Sequence, residues 1–184
     1  MGRLNTILSF IRVLRNDAKV TDVKCDPGGG ANTTAEHFSS PGDDSFPLKT
    51  DVALTVPRNG SGREAAIGYI DPSSEQKAEE GEKRIYARDD TGAEVADIWL
   101  KNDGTIVNTV GDLSLTMAPD KTTTLTNGKG VFKMLANGDF DINGVIITAA
   151  GVITSAAGVN LDTHTHAQGN DSHGDTQQET EAPS

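Results

Sequence analysis

Cysteine, aromatic side chains and large aliphatic side chains are all scarce in this 184-residue sequence. The single cysteine, Cys25, excludes a disulfide within the chain, and we interpret it as an incidental thiol rather than a nucleophile. Leu, Ile, Val and Phe together number 39, which is near the limit at which one chain buries enough apolar surface to fold. Either part of the chain is disordered or identical chains share a core, and the patterned second half favours the shared core.

Long apolar runs and an excess of basic charge are also missing. No stretch approaches the roughly 20 apolar residues of a membrane-spanning helix. The formal net charge is −11; residues 1–24 carry +3 and the remainder carries −14. A surface this acidic repels phosphate groups, so we expect no nucleic-acid partner. Arg12 and Arg15 interrupt the apolar N-terminal stretch, which argues against a signal peptide and predicts a protein assembled in the cytoplasm.

The first half of the sequence predicts an amphipathic helix followed by a small barrel. Apolar residues recur at helical spacing and predict a helix within residues 1–17: Leu4, Ile7, Leu8, Ile11 and Leu14. Two uses of this helix are open, packing on its own domain and docking to a partner. Over residues 18–98, short alternating segments between Gly-, Pro- and Asp-rich loops predict about five strands and a β-barrel of the oligonucleotide/oligosaccharide-binding (OB) type.

The second half consists of short alternating runs separated by glycine. Residues 99–106 and 134–140 echo one another, each with a strand, an Asn/Asp/Gly turn and a new strand. Gly144, Gly151 and Gly158 then lie seven residues apart, each followed by valine. Glycine in every heptad and abundant Val, Ile and Thr disfavour a coiled coil and favour strands. We predict that residues 99–161 form a triple-stranded β-helix, in which three chains intertwine; a single-chain stack of hairpins and a disordered tract are the alternatives.

A candidate metal site follows the repeat directly, in Leu161-Asp162-Thr163-His164-Thr165-His166. Alternate residues of an extended strand face the same side, so His164 and His166 are candidate ligands. Three chains around an axis bring six imidazoles together, which suits an octahedral ion such as iron or nickel better than tetrahedral zinc. A saturated ion leaves no open position, so residues 162–184 are predicted to form a structural apex without catalysis. We interpret His37 and His173 as ordinary polar residues.

Taken together, these features resemble the central-spike family of contractile-tailed phages, also called baseplate assembly protein V or tail-puncture proteins. The resemblance rests on the basic N-terminal segment, the small barrel, the glycine-punctuated repeat and the Leu-Asp-Thr-His-Thr-His motif at residues 161–166. It implies a mainly β homotrimer with an OB-like barrel docked to the baseplate hub and tail tube, and with a triple-stranded β-helix. It also implies one axial iron ion held by His164 and His166 of each chain.

By the same resemblance the protein is a virion component of the tail baseplate that pierces the bacterial outer membrane and is not an enzyme. Two other functions stay open. A His-x-His metalloenzyme needs further ligands, and only His173 and acidic tail residues follow His166. A receptor-binding tip of a trimeric tail fibre also fits the terminal motif, although the predicted barrel and the short chain favour the spike.

Overall fold

The structure, a computed structural model, describes residues 7–17, 20–27, 32–58, 63–170, 172–176 and 178–181. All regular secondary structure in these ranges is β, in fourteen strands with no helix. The mainly β fold expected from the sequence is therefore confirmed. The chain divides into two compact units, residues 1–76 and residues 77–184.

The first unit is a closed five-stranded barrel. Its strands are β1 (Ile7–Asp17), β2 (Val20–Asp26), β3 (Thr33–His37), β4 (Val52–Pro57) and β5 (Glu64–Ile70). They follow the order β1-β2-β3-β5-β4, with β4 paired back to β1 and with β3 and β5 parallel. The small barrel predicted from the sequence is present, but its strands begin at Ile7 and end at Ile70, rather than spanning residues 18–98.

The helix predicted within residues 1–17 is wrong where the structure describes it, because Ile7–Asp17 form strand β1; residues 1–6 lie outside the described part. A β-bulge accounts for the helix-like spacing. Ile11 pairs with Cys25, and beyond the bulge Leu14 pairs with Val23. Ile11 and Leu14 are three positions apart on β1, but their partners Cys25 and Val23 are only two positions apart on β2, because the bulge adds one residue to β1. Pairing with β2 on one side and β4 on the other satisfies the backbone of β1 and closes the barrel.

The barrel has its own small core. Its buried side chains are mostly small: Ile11, Val23, Cys25, Ala35, Ala53 and Ala66. Burial, reinforced by the charge of Glu64, raises the pKa of the Cys25 thiol to about 11. A thiol of this kind is rarely ionised at neutral pH, which fits the interpretation of Cys25 as a packing residue.

The second unit is a nine-stranded antiparallel meander in which strands adjacent in sequence are adjacent in the sheet. Its strands are β6 (Lys83–Arg88), β7 (Glu94–Leu100), β8 (Ile106–Val110), β9 (Leu113–Met117), β10 (Thr123–Thr126), β11 (Val131–Met134), β12 (Phe140–Ile142), β13 (Val145–Ile147) and β14 (Ile153–Thr154). The boundary between the units lies after residue 76, and not after residue 98 as predicted, because β6 and β7 belong to the meander. Within one chain, residues 99–161 form a stack of hairpins, which was the alternative to the predicted β-helix.

The meander narrows along its length. Its strands contain 7 residues in β7, 5 in β8, 4 in β10, 3 in β12 and 2 in β14. At a strand spacing of about 4.8 Å, the nine strands stack to a height of roughly 38 Å. The sheet is therefore widest near β7 and only two residues wide next to the histidine motif.

One type of turn recurs along the meander and accounts for Gly151 and Gly158 of the seven-residue repeat; Gly144 instead follows Asn143 in a turn where both residues have a positive φ. In six turns the N–H of the first residue donates to the carbonyl of the fifth residue, and the carbonyl of the first residue accepts from the N–H of the fourth. The first residues of these turns are Asp89, Lys101, Ala118, Leu135, Thr148 and Ser155. The fourth residue has a positive φ and is glycine in every case except Lys121, whose φ is 72°. Seven residues hold one short strand and one such turn, so Gly151 and Gly158 recur at that interval.

Candidate functional site

One face of the meander is apolar, and we call it the apolar face. A row of cross-strand partners and the residues two positions from each of them on the same strand define this face; the row consists of Ile98, Asn108, Leu115, Leu125 and Phe132. Ten of its large apolar side chains are 38–59% exposed in the single chain: Ile85, Ile98, Leu100, Val110, Leu113, Met117, Leu125, Phe132, Met134 and Ile142. Solvated apolar surface of this extent is typical of an interface.

No second layer covers this face within the described residues. Among the described residues, all buried apolar side chains belong to the barrel, and the meander contributes none. A sheet with one apolar face needs another layer to be stable, because a single sheet cannot bury its own face. The meander therefore lacks the other half of its core.

The opposite face of the meander, which we call the polar face, carries an ionic network around Arg84. The Arg84 guanidinium, with its side chain only 10% exposed, donates from Nε to Asp97 Oδ2 at 2.7 Å and from Nη1 to Glu94 Oε1 at 2.9 Å. Hydrogen bonds from Arg84 and then from Lys77 lower the pKa of Glu94 to about 2. Arg84 also lies over the rings of Tyr86 and Trp99. Charged groups of β6 and β7 are therefore paired with one another on this face, whereas the apolar side chains of the other face remain half-exposed.

The histidine motif begins where the meander ends. Asn160 forms an isolated bridge with Thr154 of β14, and the chain then turns through residues 161–163. His164 is half-buried and His166 is exposed. Their ring centroids are 5.1 Å apart and their planes lie at 87° to one another. The two residues predicted as ligands are thus side by side at the narrow end of the sheet.

The orientation of His164 leaves one of its nitrogens available to a ligand. Its Nδ1 lies 3.0 Å from the carbonyl oxygen of Leu161. A carbonyl oxygen only accepts hydrogen bonds, so Nδ1 carries the proton and the neutral ring has its lone pair on Nε2. Metal-binding histidines are commonly fixed in this way, by a hydrogen bond from the second ring nitrogen to a carbonyl group.

The acidic tail folds back onto this motif. The Thr180 N–H donates to the His166 carbonyl at 3.2 Å, and the His166 N–H donates to Thr180 Oγ1 at 2.9 Å. Thr165 Oγ1 donates to Glu179 Oε2 at 3.2 Å. The tail thus returns to the motif at Glu179 and Thr180, while residues 171, 177 and 182–184 lie outside the described part. This pairing holds the backbone of His166 in place.

The histidine pair stands without further metal ligands in the part of the chain that the structure describes. In the residues that the structure describes, no group of three or more His, Cys, Asp and Glu side chains is arranged to hold an ion. His37 instead lies within the barrel unit, where its Nδ1 is 3.1 Å from Tyr69 Oη. His173 is exposed in the tail. To hold a metal ion, the pair His164 and His166 therefore needs further ligands from outside the residues that the structure describes.

Sequence reasoning missed two features of the meander. Arg84 was not recognised as the centre of the polar network, although its alternation with Ile85 and its cross-strand acids are visible in the sequence once β6 and β7 are paired. Asn108, the polar residue in the middle of the apolar face, was also missed, because its significance depends on the register of β8.

No protein-family model matches the sequence, and the search of curated proteins gives no match either. The described residues contain no helix with the length and apolar character that a membrane crossing needs. Functional inference therefore depends on the apolar face and the histidine motif themselves.

Proposed function

We propose that this protein is the central spike of a contractile phage tail or a related injection machine, a structural homotrimer that pierces the bacterial outer membrane. The observation that supports it most is the apolar face, which has no covering layer in its own chain. Two further copies cover it when three meanders surround a common axis, as in the β-helix of the central-spike family that the sequence resembles.

The energy available from such an assembly is large. Full burial contributes about 1.5–3 kcal/mol for each large apolar side chain. Covering ten side chains that are 38–59% exposed therefore contributes on the order of 10 kcal/mol per chain before the entropy of association is subtracted. Within each meander every strand from β7 to β13 is paired on both sides, so only the end strands β6 and β14 present sheet edges.

The narrowing of the meander suits a piercing function. An assembly of three tapering sheets has a decreasing cross-section, from strands of 7 residues to strands of 2 residues. Force supplied by sheath contraction is then concentrated at the narrow end. The barrel at the other end of the chain is the candidate contact with the baseplate hub and tail tube.

The histidine motif suits a metal-stabilised apex. Three chains supply six imidazoles from His164 and His166, a ligand set for an octahedral iron ion. When bound, the ion supplies no chemistry beyond cross-linking, because the imidazoles fill every position. Leu161 fixes the tautomer of His164, and Thr180 fixes the backbone of His166. These contacts hold the chain ends where mechanical load is greatest, without any catalytic step.

Native mass and metal content, measured together on the full chain, test this proposal. We expect a trimer with about one iron ion per three chains, and loss of the iron in the double variant His164→Ala/His166→Ala. His173→Ala is the matched control and should keep the iron. A monomer, or one metal ion per chain, would contradict the shared axis and favour a metalloenzyme. A trimer that binds a defined surface glycan would favour the fibre tip.

A further inference from the structure

The apolar face has one polar residue in the middle of a strand. Asn108 is the third of the five residues of β8 and lies opposite Ile98 on β7 and Leu115 on β9. Its neighbours two positions away on β8 are Ile106 and Val110. The other polar residues of this face, Lys83 and Thr123, lie at strand ends. Asn108 therefore interrupts the apolar face in the middle of a strand, where a polar side chain is farther from solvent than at a strand end.

The amide oxygen of Asn108 has no hydrogen-bond partner among the residues that the structure describes. Oδ1 is shielded from solvent already in the single chain. An acceptor of this kind must be satisfied when water is excluded, or the buried group destabilises the fold. No ionisable side chain lies on the same face of β7, β8, β9 or β10, so the chain offers no charged partner either. Since Oδ1 is shielded within the single chain, the amide has to turn toward the open side of the face before a second copy can supply the donor.

The geometry of a threefold assembly supplies that donor. Five residues at about 3.4 Å each give β8 a length of about 17 Å, and the middle of such a side lies about 5 Å from the axis of an equilateral triangle. An asparagine side chain spans most of that distance. Symmetry places the three copies of Asn108 at the same level, so their amides meet near the axis.

We propose that the three Asn108 side chains form a cyclic hydrogen-bonded layer, in which each Nδ2 donates to the Oδ1 of the next copy. This inference rests on the proposed trimer. Three donors and three acceptors close the ring, and a chain shifted by one strand would set Asn108 against apolar side chains. The layer therefore fixes the register and the number of chains, as buried asparagines do in coiled coils.

The variant Asn108→Asp should make assembly depend on pH, an effect that a role of Asn108 in packing alone would not produce. Three carboxylates at one level repel each other, and their mutual repulsion and burial raise their pKa values. The protonated form still donates and accepts, so it should rebuild the layer. We expect the trimer of this variant to form at about pH 5 and to weaken at least tenfold at about pH 8. Deprotonation destroys the layer, so assembly is lost as the pH rises.

Thr116→Asp is the matched control. Thr116 lies on the polar face, with the uncharged cross-strand neighbours Val107 and Thr124. Native mass spectrometry of the full-length wild type and of both variants, at both pH values, measures the assemblies. The wild type and Thr116→Asp should be trimeric throughout. A trimeric wild type with an Asn108→Asp variant that is equally trimeric at both pH values would overturn this inference alone, whereas a wild type that is not trimeric would overturn the proposed function as well.

A second variant decides the question if Asn108→Asp does not assemble at either pH. Asn108→Val removes the layer and keeps the face apolar and β-forming. We expect it to assemble with additional masses beside the trimer, because nothing then selects the register or the number of chains. A single trimeric mass for Asn108→Val, with heat stability unchanged from the wild type, would overturn the inference.

Discussion

The two units of this protein solve the problem of burial in opposite ways. The barrel closes on itself, and its core residues, such as Val23 and Ala35, are fully buried in one chain. The meander has nearly twice as many strands and leaves its large apolar residues half-exposed. One unit therefore buries its core within a single chain, and the other leaves a face that the proposed trimer would cover. Sharing that face among three chains would allow a sequence with few large apolar residues to bury a second core.

The largest expected effect comes from placing a charge on the apolar face. Leu125→Asp puts three carboxylates inside the proposed trimer, where an unpaired buried charge costs several kcal/mol. We expect the trimer to be lost at micromolar concentrations, as measured by light scattering, while the barrel keeps its fold. Thr124→Asp, the adjacent residue on the polar face opposite Lys133, is the control and should remain trimeric. Equal trimer stability in the two variants would remove the distinction between the faces.

A cavity in the barrel should have a smaller and different effect. Ile11 is 2% exposed in the barrel core, and Ile11→Ala is expected to lower the free energy of unfolding of the barrel by about 2–5 kcal/mol. The loss should not depend on protein concentration, and the native mass should not change. Denaturant unfolding at two protein concentrations measures this. A strong concentration dependence would mean that the barrel also needs partner chains for its core.

The smallest expected effect concerns a turn of the meander. Lys121 occupies a position that is glycine in the five equivalent turns, and its φ of 72° is strained for a residue with a side chain. We expect Lys121→Gly to stabilise the meander by a few tenths to about 1 kcal/mol. The reverse change, Gly151→Lys, should destabilise it by a similar amount, since φ is 86° there and the space beside Gly151 is open. Thermal unfolding of both variants provides the check.

Much of the meander could be predicted from its sequence because its signals are local. Alternation in Leu113–Met117 and Phe140–Ile142, with glycine at the turns, marks strands without knowledge of their neighbours. The same locality explains the failure at the N-terminus. The bulge in β1 gives Ile11 and Leu14 a helical spacing, and only pairing with distant β2 and β4 reveals a strand. The domain boundary was misplaced for a related reason, since β6 and β7 alternate like barrel strands.

The candidate site was predictable in part. His164 and His166 follow the repeat in the sequence, and their rings lie 5.1 Å apart at the end of the meander; their role as ligands stays a prediction. The hydrogen bond from His164 to Leu161 and the return of Thr180 to His166 depend on turn and tail geometry, for which the sequence has no clear signal. Whether six imidazoles meet is a property of three chains and stays a prediction.

The protection of the apolar face in the native protein tests the central claim most directly. Cys25 is fully buried in the barrel, so the wild type gives a low background for thiol labelling. Leu125→Cys places a thiol on the apolar face, at a side chain 41% exposed in the single chain, and Thr124→Cys places one on the polar face. We predict that the native Leu125→Cys protein resists labelling until it is denatured, while Thr124→Cys reacts readily. Rapid labelling of native Leu125→Cys would show that no partner chain covers this face and would contradict the account.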